Sequence, residues 1–369
     1  MPVSLAERLR ESIQREGAIT FHDWMKAALY DPKGGYYQRS DRLRWGREGD
    51  YWTSPERSEL FAATFARYFA RLHDQLKSFT IVECGAGDGT FAAGVLRTLQ
   101  QQFPRVFADT RYLVCELSED ARAHAQQRLR EFGERVQFCS GLNSVSASSG
   151  IWFANELLDA FPIHRVVQSD EGLSELYVTV DAEGSFTWTQ GAFSTPRLAE
   201  FCSASVPELV NGQIIEINLG IEDWLTQVAT KLEAGFLITV DYGAEAAELY
   251  NPALRPQGTL RGFSEHAFVE NVLAQPGDYD LTSSVNWTQV RTTGERLGFE
   301  VVDFTSQDKF LMSAGLLDQL QYRLSSAKTE SEQLSLTTSA REMILPGGMA
   351  SSFQVLVLKA AREINDPKH

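Results

Sequence analysis

Residues 79–90, Phe-Thr-Ile-Val-Glu-Cys-Gly-Ala-Gly-Asp-Gly-Thr, leave this chain few folds to choose from. Phe79 to Val82 is a short apolar run rich in β-formers, the pattern of a buried strand. Gly85, Gly87 and Gly89 follow at alternate positions. A helical pattern starts at once, with Phe91, Val95, Leu96, Leu99 and Phe103 on one face, and Pro104 is predicted to stop it. Strand, glycine turn and helix start together make a nucleotide-cofactor site. Glycines let the backbone approach a ligand closely, and the helix start offers unpaired N–H groups. The dinucleotide fingerprint G-x-G-x-x-G puts its third glycine three residues after the second. Here Gly89 comes sooner and Thr90 holds that place, so the spacing argues against NAD.

Alternating strands and helices follow, as a parallel α/β sheet requires. Strands are predicted at 79–83, 112–116, 135–139, 150–154, 236–240, 299–304 and 353–359. Helices are predicted at 90–103, 119–132, 221–233, 288–297 and 308–320, with a polar segment near 325–340. The second strand ends in Glu116, placed to accept hydrogen bonds from ribose hydroxyls, and Ser118 then caps a helix. The fourth runs into Asn155-Glu156-Leu157-Leu158-Asp159-Ala160-Phe161-Pro162. Ligands bind at the carboxyl ends of such strands, so two carboxylates there suggest chemistry. The blander reading is a helix N-terminal turn stabilised by acids.

Residues 1–77 read as a helical N-terminal extension and 78–362 as the main domain. Ser4 with Glu7 makes a capping box, and Thr20 with Asp23 starts a second helix that Pro32 ends at Asp31. A glycine-rich aromatic stretch follows, from Gly34 to Pro55, of the kind that often forms binding loops. A helix is predicted at 57–73. Two insertions interrupt the α/β pattern, at about 163–217 and 244–287. The first contains a β-hairpin around Asp181-Ala182-Glu183-Gly184, and the second reads as mostly irregular.

The net charge is −15, which argues against a general nucleic-acid binder. No apolar run reaches membrane-spanning length and the start lacks the apolar core of a signal peptide, so a cytoplasmic protein is expected. Cys84, Cys115, Cys139 and Cys202 are widely spaced and read as free thiols. The histidines show no zinc spacing, so no metal is expected.

The stretch Glu83-x-Gly85-x-Gly87-x-Gly89 resembles motif I of class I S-adenosylmethionine (SAM) methyltransferases. The chain as a whole resembles the MidA-like SAM-dependent methyltransferases, relatives of a mitochondrial complex I assembly factor that methylates arginine. The likeness runs from Ile19 to about Val357. It rests on Tyr30-Asp31-Pro32 with Gly35-Tyr36-Tyr37, and on Gly49-Asp50-Tyr51 with Thr53-Ser54-Pro55. The glycine turn, the Asn155–Pro162 segment, Asp241-Tyr242-Gly243, Gly258-Thr259-Leu260-Arg261, His266, Met349 and Phe353-Gln354-Val355-Leu356 complete it. One departure stands out. The family pattern has a histidine and an aspartate where this chain has Ser284 and Asn286.

The resemblance implies a Rossmann-like sheet with SAM as cofactor. Glu83 and the backbone of Gly85, Gly87 and Gly89 would hold its methionine end, and Glu116 the ribose. Asn155 would lie beside it, and Thr53, Ser54 and Pro55 would close over it. It also implies methyl transfer to a protein side chain, arginine first. Glu156 and Asp159 would grip the guanidinium fork, His266 would relay a proton, and Arg261 would help shape the acceptor pocket. A protein substrate is the expected partner, with a homodimer left open. The alternatives are an assembly factor that binds SAM without turnover, and a small-molecule methyltransferase.

Overall fold

The computed structural model describes residues 3–39, 59–76, 78–264, 267–345 and 352–360. Thr53, Ser54, Pro55 and His266, to which the sequence assigns roles, lie outside the described residues. Seven strands build the main sheet: β1 (Phe79–Cys84), β2 (Thr110–Cys115), β3 (Val136–Cys139), β4 (Ser148–Asn155), β5 (Leu232–Ala244), β6 (Phe299–Ser306) and β7 (Phe353–Ala360). Their order is β6-β7-β5-β4-β1-β2-β3. β1 to β5 pair in parallel, and β7 lies antiparallel between β5 and β6. Strand succession reverses between β1 and β4. Their carboxyl ends therefore open a crevice where such sheets bind ligands. A short strand, Val285–Asn286, joins in parallel beside Gly243 and Ala244.

Four helices set the framework: α1 (Leu5–Glu16), α2 (Phe21–Tyr30), α3 (Glu59–His73) and α4 (Thr90–Gln102). α3 and α4 cover one face of the sheet with aromatic side chains. Phe91 stacks on Phe153 with ring centroids 4.4 Å apart, and Phe65 meets Phe153 at 5.0 Å and Phe310 at 5.3 Å. The two helices approach so closely that a Cβ on Gly94 would lie 2.5 Å from that of Ala62. On the other face, helices Gly220–Lys231 and Trp287–Arg296 bury Trp152, Trp224 and Trp287.

α1 and α2 pack elsewhere. The first insertion folds into an antiparallel sheet whose order is Ile19–Thr20, Gly172–Val180, His164–Ser169, Ile214–Ile217. Phe186–Gly191 closes the predicted hairpin onto Gly172–Val180. Phe21, Trp24 and Met25 of α2 share a core with Ile163, Val178 and Phe186 of this insertion, and with Leu273 and Leu281 of the second. The first two helices and the two insertions thus form one body over the carboxyl edge of the main sheet.

Three expectations need correction. The second insertion is not irregular, because Arg261–Ser264 pairs with both Ala267–Phe268 and Asp280–Thr282. Those strands are too short for alternation to register in sequence. The polar segment near 325–340 is the helix Glu330–Ile344, started by a capping box of Thr329 and Glu332 and burying Ala340 and Met343. The helix expected at 308–320 is two helices, Gln307–Ala314 and Leu316–Ser326, divided at Gly315 in the left-handed region (φ 101°).

Phe65 joins α3 to the sheet through rings on four elements. Phe65→Ala should lower unfolding stability by about 3–5 kcal/mol, the usual cost of removing a buried phenylalanine. Urea denaturation followed by tryptophan fluorescence measures it. A loss under about 1 kcal/mol would mean that α3 is not part of the core.

Candidate active site

The glycine turn after β1 is built as its sequence requires. Gly85, Gly87 and Gly89 all have positive φ, at 70°, 55° and 78°. A Cβ on Gly85 would meet Leu157 Cδ1 at 2.9 Å, so the turn and the segment after β4 press together without room for a side chain. Glu116, ending β2, braces the turn: Gly87 N donates to its Oε2 at 2.9 Å and Ser118 N to its Oε1 at 2.8 Å. Asp88 accepts from Thr90 N and Thr90 Oγ1, and pairs with Arg128 at 2.6 Å.

The segment after β4 is a turn and not the start of a helix, which removes the blander reading of its acids. Among the described residues Glu156 alone has positive φ without being glycine (50°). A side chain held there costs roughly 1–3 kcal/mol and persists only where its surroundings enforce it. They do. Glu156 N donates to Val240 O at 2.9 Å, and Asn155 Nδ2 donates to Glu156 Oε1 at 3.0 Å. Leu158 N and Asp159 N both donate to Asp241 Oδ2, at 2.9 and 3.3 Å. Ser283 N, from the second insertion, donates to Asp159 O at 3.0 Å.

These parts enclose a cavity of about 580 Å³. That lies within the roughly 300–1,000 Å³ of small-molecule sites. Tyr30, Tyr36 and Tyr37 form one wall and Phe161 and Trp224 contribute to another. Tyr30 OH donates to Ala160 O at 2.9 Å, Tyr37 OH donates to Asp280 Oδ1 at 2.7 Å, and the two rings lie 5.5 Å apart. The lining also carries Glu83, Asp88, Glu116, Glu156, Asp159 and Asp280, against Lys26 as the one basic residue among the described lining residues.

So much negative charge out of water is costly. Burial pushes the Glu83 carboxyl up to about 8, opposed by the Tyr112 hydroxyl that donates to it at 2.6 Å and aided by Asp88 and Glu116. Burial, and then the nearby Glu156 carboxylate, raise Asp159. Burial, then Asp159 and Glu156, raise Asp241. Asp159 Oδ1 is buried and has no hydrogen-bond partner among the described residues.

The cavity therefore gathers Glu83, Gly85, Gly87, Glu116, Asn155, Glu156 and Asp159 from the sequence-derived set. Gly89 instead serves helix packing, where a Cβ would lie 3.0 Å from Ala125 Cβ. Arg261 is not brought in. It lies over the Tyr242 ring at 5.9 Å, and its strand pairs with Thr282. Sequence reasoning gave no role to Tyr30, Tyr37 or Lys26, though the Tyr30-Asp31-Pro32 and Gly35-Tyr36-Tyr37 turns were visible. Asp241 was equally visible, and its bracing role was not. The departures at 284 and 286 stand outside the cavity lining. Asn286 caps the helix Trp287–Arg296, accepting from Gln289 N at 3.1 Å, and donates to Tyr250 OH at 3.0 Å. Asparagine and aspartate serve equally as N-caps, so this exchange keeps the helix start.

The strand order, the glycine turn and the acid ending β2 define the class I SAM-dependent methyltransferase fold. The chain belongs to the family Methyltransf_28, described as "Putative S-adenosyl-L-methionine-dependent methyltransferase", whose model matches residues 62–305. A crystal structure from Burkholderia thailandensis, a COG1565 superfamily member and likely methyl transferase bound to S-adenosyl-homocysteine, superimposes with a TM-score of 0.85. It is 27% identical, over 97% of this chain and 92% of that one. Among curated proteins, the Drosophila melanogaster "Protein arginine methyltransferase NDUFAF7 homolog, mitochondrial" is 26% identical over 96% of this chain and 84% of its own. The Rattus norvegicus "Protein arginine methyltransferase NDUFAF7, mitochondrial" is 25% identical with the same coverage.

The raised Glu83 carboxyl sets a pH dependence. The folded state holds its proton up to about 8, whereas an unfolded glutamate releases it near 4.5. Folding is therefore favoured below the unfolded value, and that contribution is lost as pH rises through about 8. Glu83→Gln should flatten the decline in unfolding free energy of the ligand-free protein between these limits. Parallel declines for the two proteins across that window would show that Glu83 is ionised in the native state.

Proposed function

We propose that this chain binds SAM in the cavity between the glycine turn and the segment after β4, and transfers its methyl group to a protein side chain, arginine first. The observation that carries this is the imbalance of charge in the lining, many carboxylates against a single lysine. A cavity of that kind favours cationic occupants, and both SAM and arginine are cations. When bound, SAM supplies a methyl group on a positively charged sulfur. The chain supplies placement. Gly85 and Gly87 line the cavity with their backbone, and Glu116 both braces the turn and faces the cavity. The buried Asp159 Oδ1, without a hydrogen-bond partner among the described residues, fits a cationic group.

On the acceptor side, Glu156 and Asp159 are positioned to take a guanidinium fork by charge-assisted hydrogen bonds. Asp159, raised by burial and by Glu156, ionises when a cation arrives and can take the proton that the alkylated nitrogen must lose, at Oδ1. Tyr30 and Tyr37 offer ring faces against which a planar cation packs. The arginine assignment is supported by this geometry and by the names of relatives near 25% identity.

Calorimetry should show SAM or S-adenosylhomocysteine binding with NAD silent. Glu116→Ala should weaken binding by about 1.5–3 kcal/mol, the worth of hydrogen bonds to a charged group. Asp159→Asn should keep SAM affinity within a few-fold while abolishing labelled-methyl incorporation into arginine, read by mass spectrometry of peptides from a lysate. SAM binding without incorporation by the unmutated protein would favour a non-catalytic assembly factor. Incorporation into another residue would remove the arginine assignment.

A further inference from the structure

Three of the four cysteines stand side by side at the carboxyl edge of the sheet. The register pairs Cys84 with Cys115 across β1 and β2, and Cys115 with Cys139 across β2 and β3. Side chains at paired positions of a parallel sheet share a face. All three sulfurs thus lie on the face that carries Val82, Leu113 and Trp152. Cys84 and Cys115 line the candidate cofactor cavity. Cys139 lies just before Ser140, Gly141 and Leu142, which line it too. The methyl-transfer chemistry proposed above uses none of these thiols.

The three are not equivalent. Cys84 is buried, and burial raises its thiol far above the ordinary range. Cys139 is half-buried. The neighbouring Cys115 thiol, opposed by burial and helped by the Gly141 backbone and Arg122, lowers Cys139 to about 7. Its Cys139 neighbour, together with burial, raises Cys115. Neighbouring strands run about 4.8 Å apart. That falls inside the Cα separations of roughly 4.4–6.8 Å that disulfides span. A half-buried thiol on one strand, paired in register with a second thiol on the cavity wall, is the arrangement of an attacking and a resolving cysteine.

We propose that Cys139 and Cys115 form a peroxide-reactive thiol pair, and that its oxidation to a disulfide closes the cofactor site. The Cys139 thiolate attacks one oxygen of hydrogen peroxide, forming a sulfur–oxygen bond as the oxygen–oxygen bond breaks. The hydroxide released takes a proton and leaves as water. Cys115 then attacks the sulfenic sulfur, losing its proton, and the hydroxyl departs as a second water. Two thiols are oxidised and one peroxide is reduced to two waters. Coupling to the site runs through Glu116. This residue follows Cys115 directly, and its N–H donates to Cys139 O at 3.0 Å. Its carboxylate holds Gly87 N. Drawing the two sulfurs to bonding distance shifts the ends of β2 and β3, and with them the brace of the glycine turn. A ligand in the cavity should in turn shield Cys115.

Full-length protein treated with hydrogen peroxide tests this by peptide mapping and by calorimetry with S-adenosylhomocysteine. The expected result is a linked peptide pair joining Cys115 to Cys139, formed in the unmutated protein and absent from Cys139→Ser. S-adenosylhomocysteine affinity should fall about tenfold or more on oxidation, at least 1.4 kcal/mol, and dithiothreitol should restore it. Cys139→Ser should keep its untreated affinity after peroxide, whereas Cys202→Ser, altered in a separate core, should respond as the unmutated protein does. Prior saturation with S-adenosylhomocysteine should slow cross-linking. A Cys84–Cys115 link, or sulfinic acid at Cys139 with no link, overturns the pair. A Cys115–Cys139 link with unchanged affinity overturns the closure. Because calorimetry reads the untreated protein first, absent binding before peroxide would count against the cofactor assignment, while peptide mapping would still decide the pair.

Discussion

A carboxylate taken out of water must find donors, and Asp241 finds them in the backbone of Leu158, Asp159 and Tyr242. Everything at the acceptor end of the cavity depends on that attachment. The segment after β4 carries Glu156 at an unfavourable φ and Asp159 with an unpartnered oxygen. Neither arrangement would persist in a loop free to relax. Asp241 sits in β5, an interior strand of the sheet, paired with β4 on one side and β7 on the other. A strand paired on both sides therefore holds the turn that carries the strained Glu156.

The same logic extends to the second insertion. Glu216 is buried and accepts from Thr259 N at 2.6 Å, with Arg165 3.2 Å away. Gly258 lies so close that a Cβ there would overlap the Glu216 carboxylate at 2.2 Å. Thr259 Oγ1 then accepts from Ser284 N, and the adjoining Ser283 N reaches Asp159 O. A chain of hydrogen bonds thus runs from the first insertion through the second to the carboxylate turn. The Gly258-Thr259 pair works through this clamp from outside the cavity lining.

Charge explains why these supports are needed. Burial first, and then repulsion between the clustered carboxylates, raises Glu83, Asp159 and Asp241, so each gains by protonation when no cation is near. A site held in that state binds a cation with its groups already placed, so little reorganisation is left for the ligand to drive. The tyrosine wall completes it. Burial keeps Tyr30 and Tyr37 protonated, so their hydroxyls donate to Ala160 O and Asp280 Oδ1 and add no charge.

Much of this was determined by the sequence alone, wherever a pattern was local. Gly85, Gly87 and Gly89 announce the turn because a left-handed backbone needs glycine. Strand and helix alternation after Phe79 dictates a parallel sheet, and with it the end at which ligands bind. Glu116, Asn155, Glu156 and Asp159 follow from standing at those ends. The tertiary structure decided what depends on residues far apart in the chain. Tyr37 reaches Asp280, and Leu158 reaches Asp241, through contacts that no spacing encodes. Asn286 reads as a lost functional acid in sequence and is a helix cap in space. Arg261 reads as a pocket residue and stands over the Tyr242 ring. Periodicity records which face of an element is buried, whereas the partner across a cavity is chosen by how the elements pack.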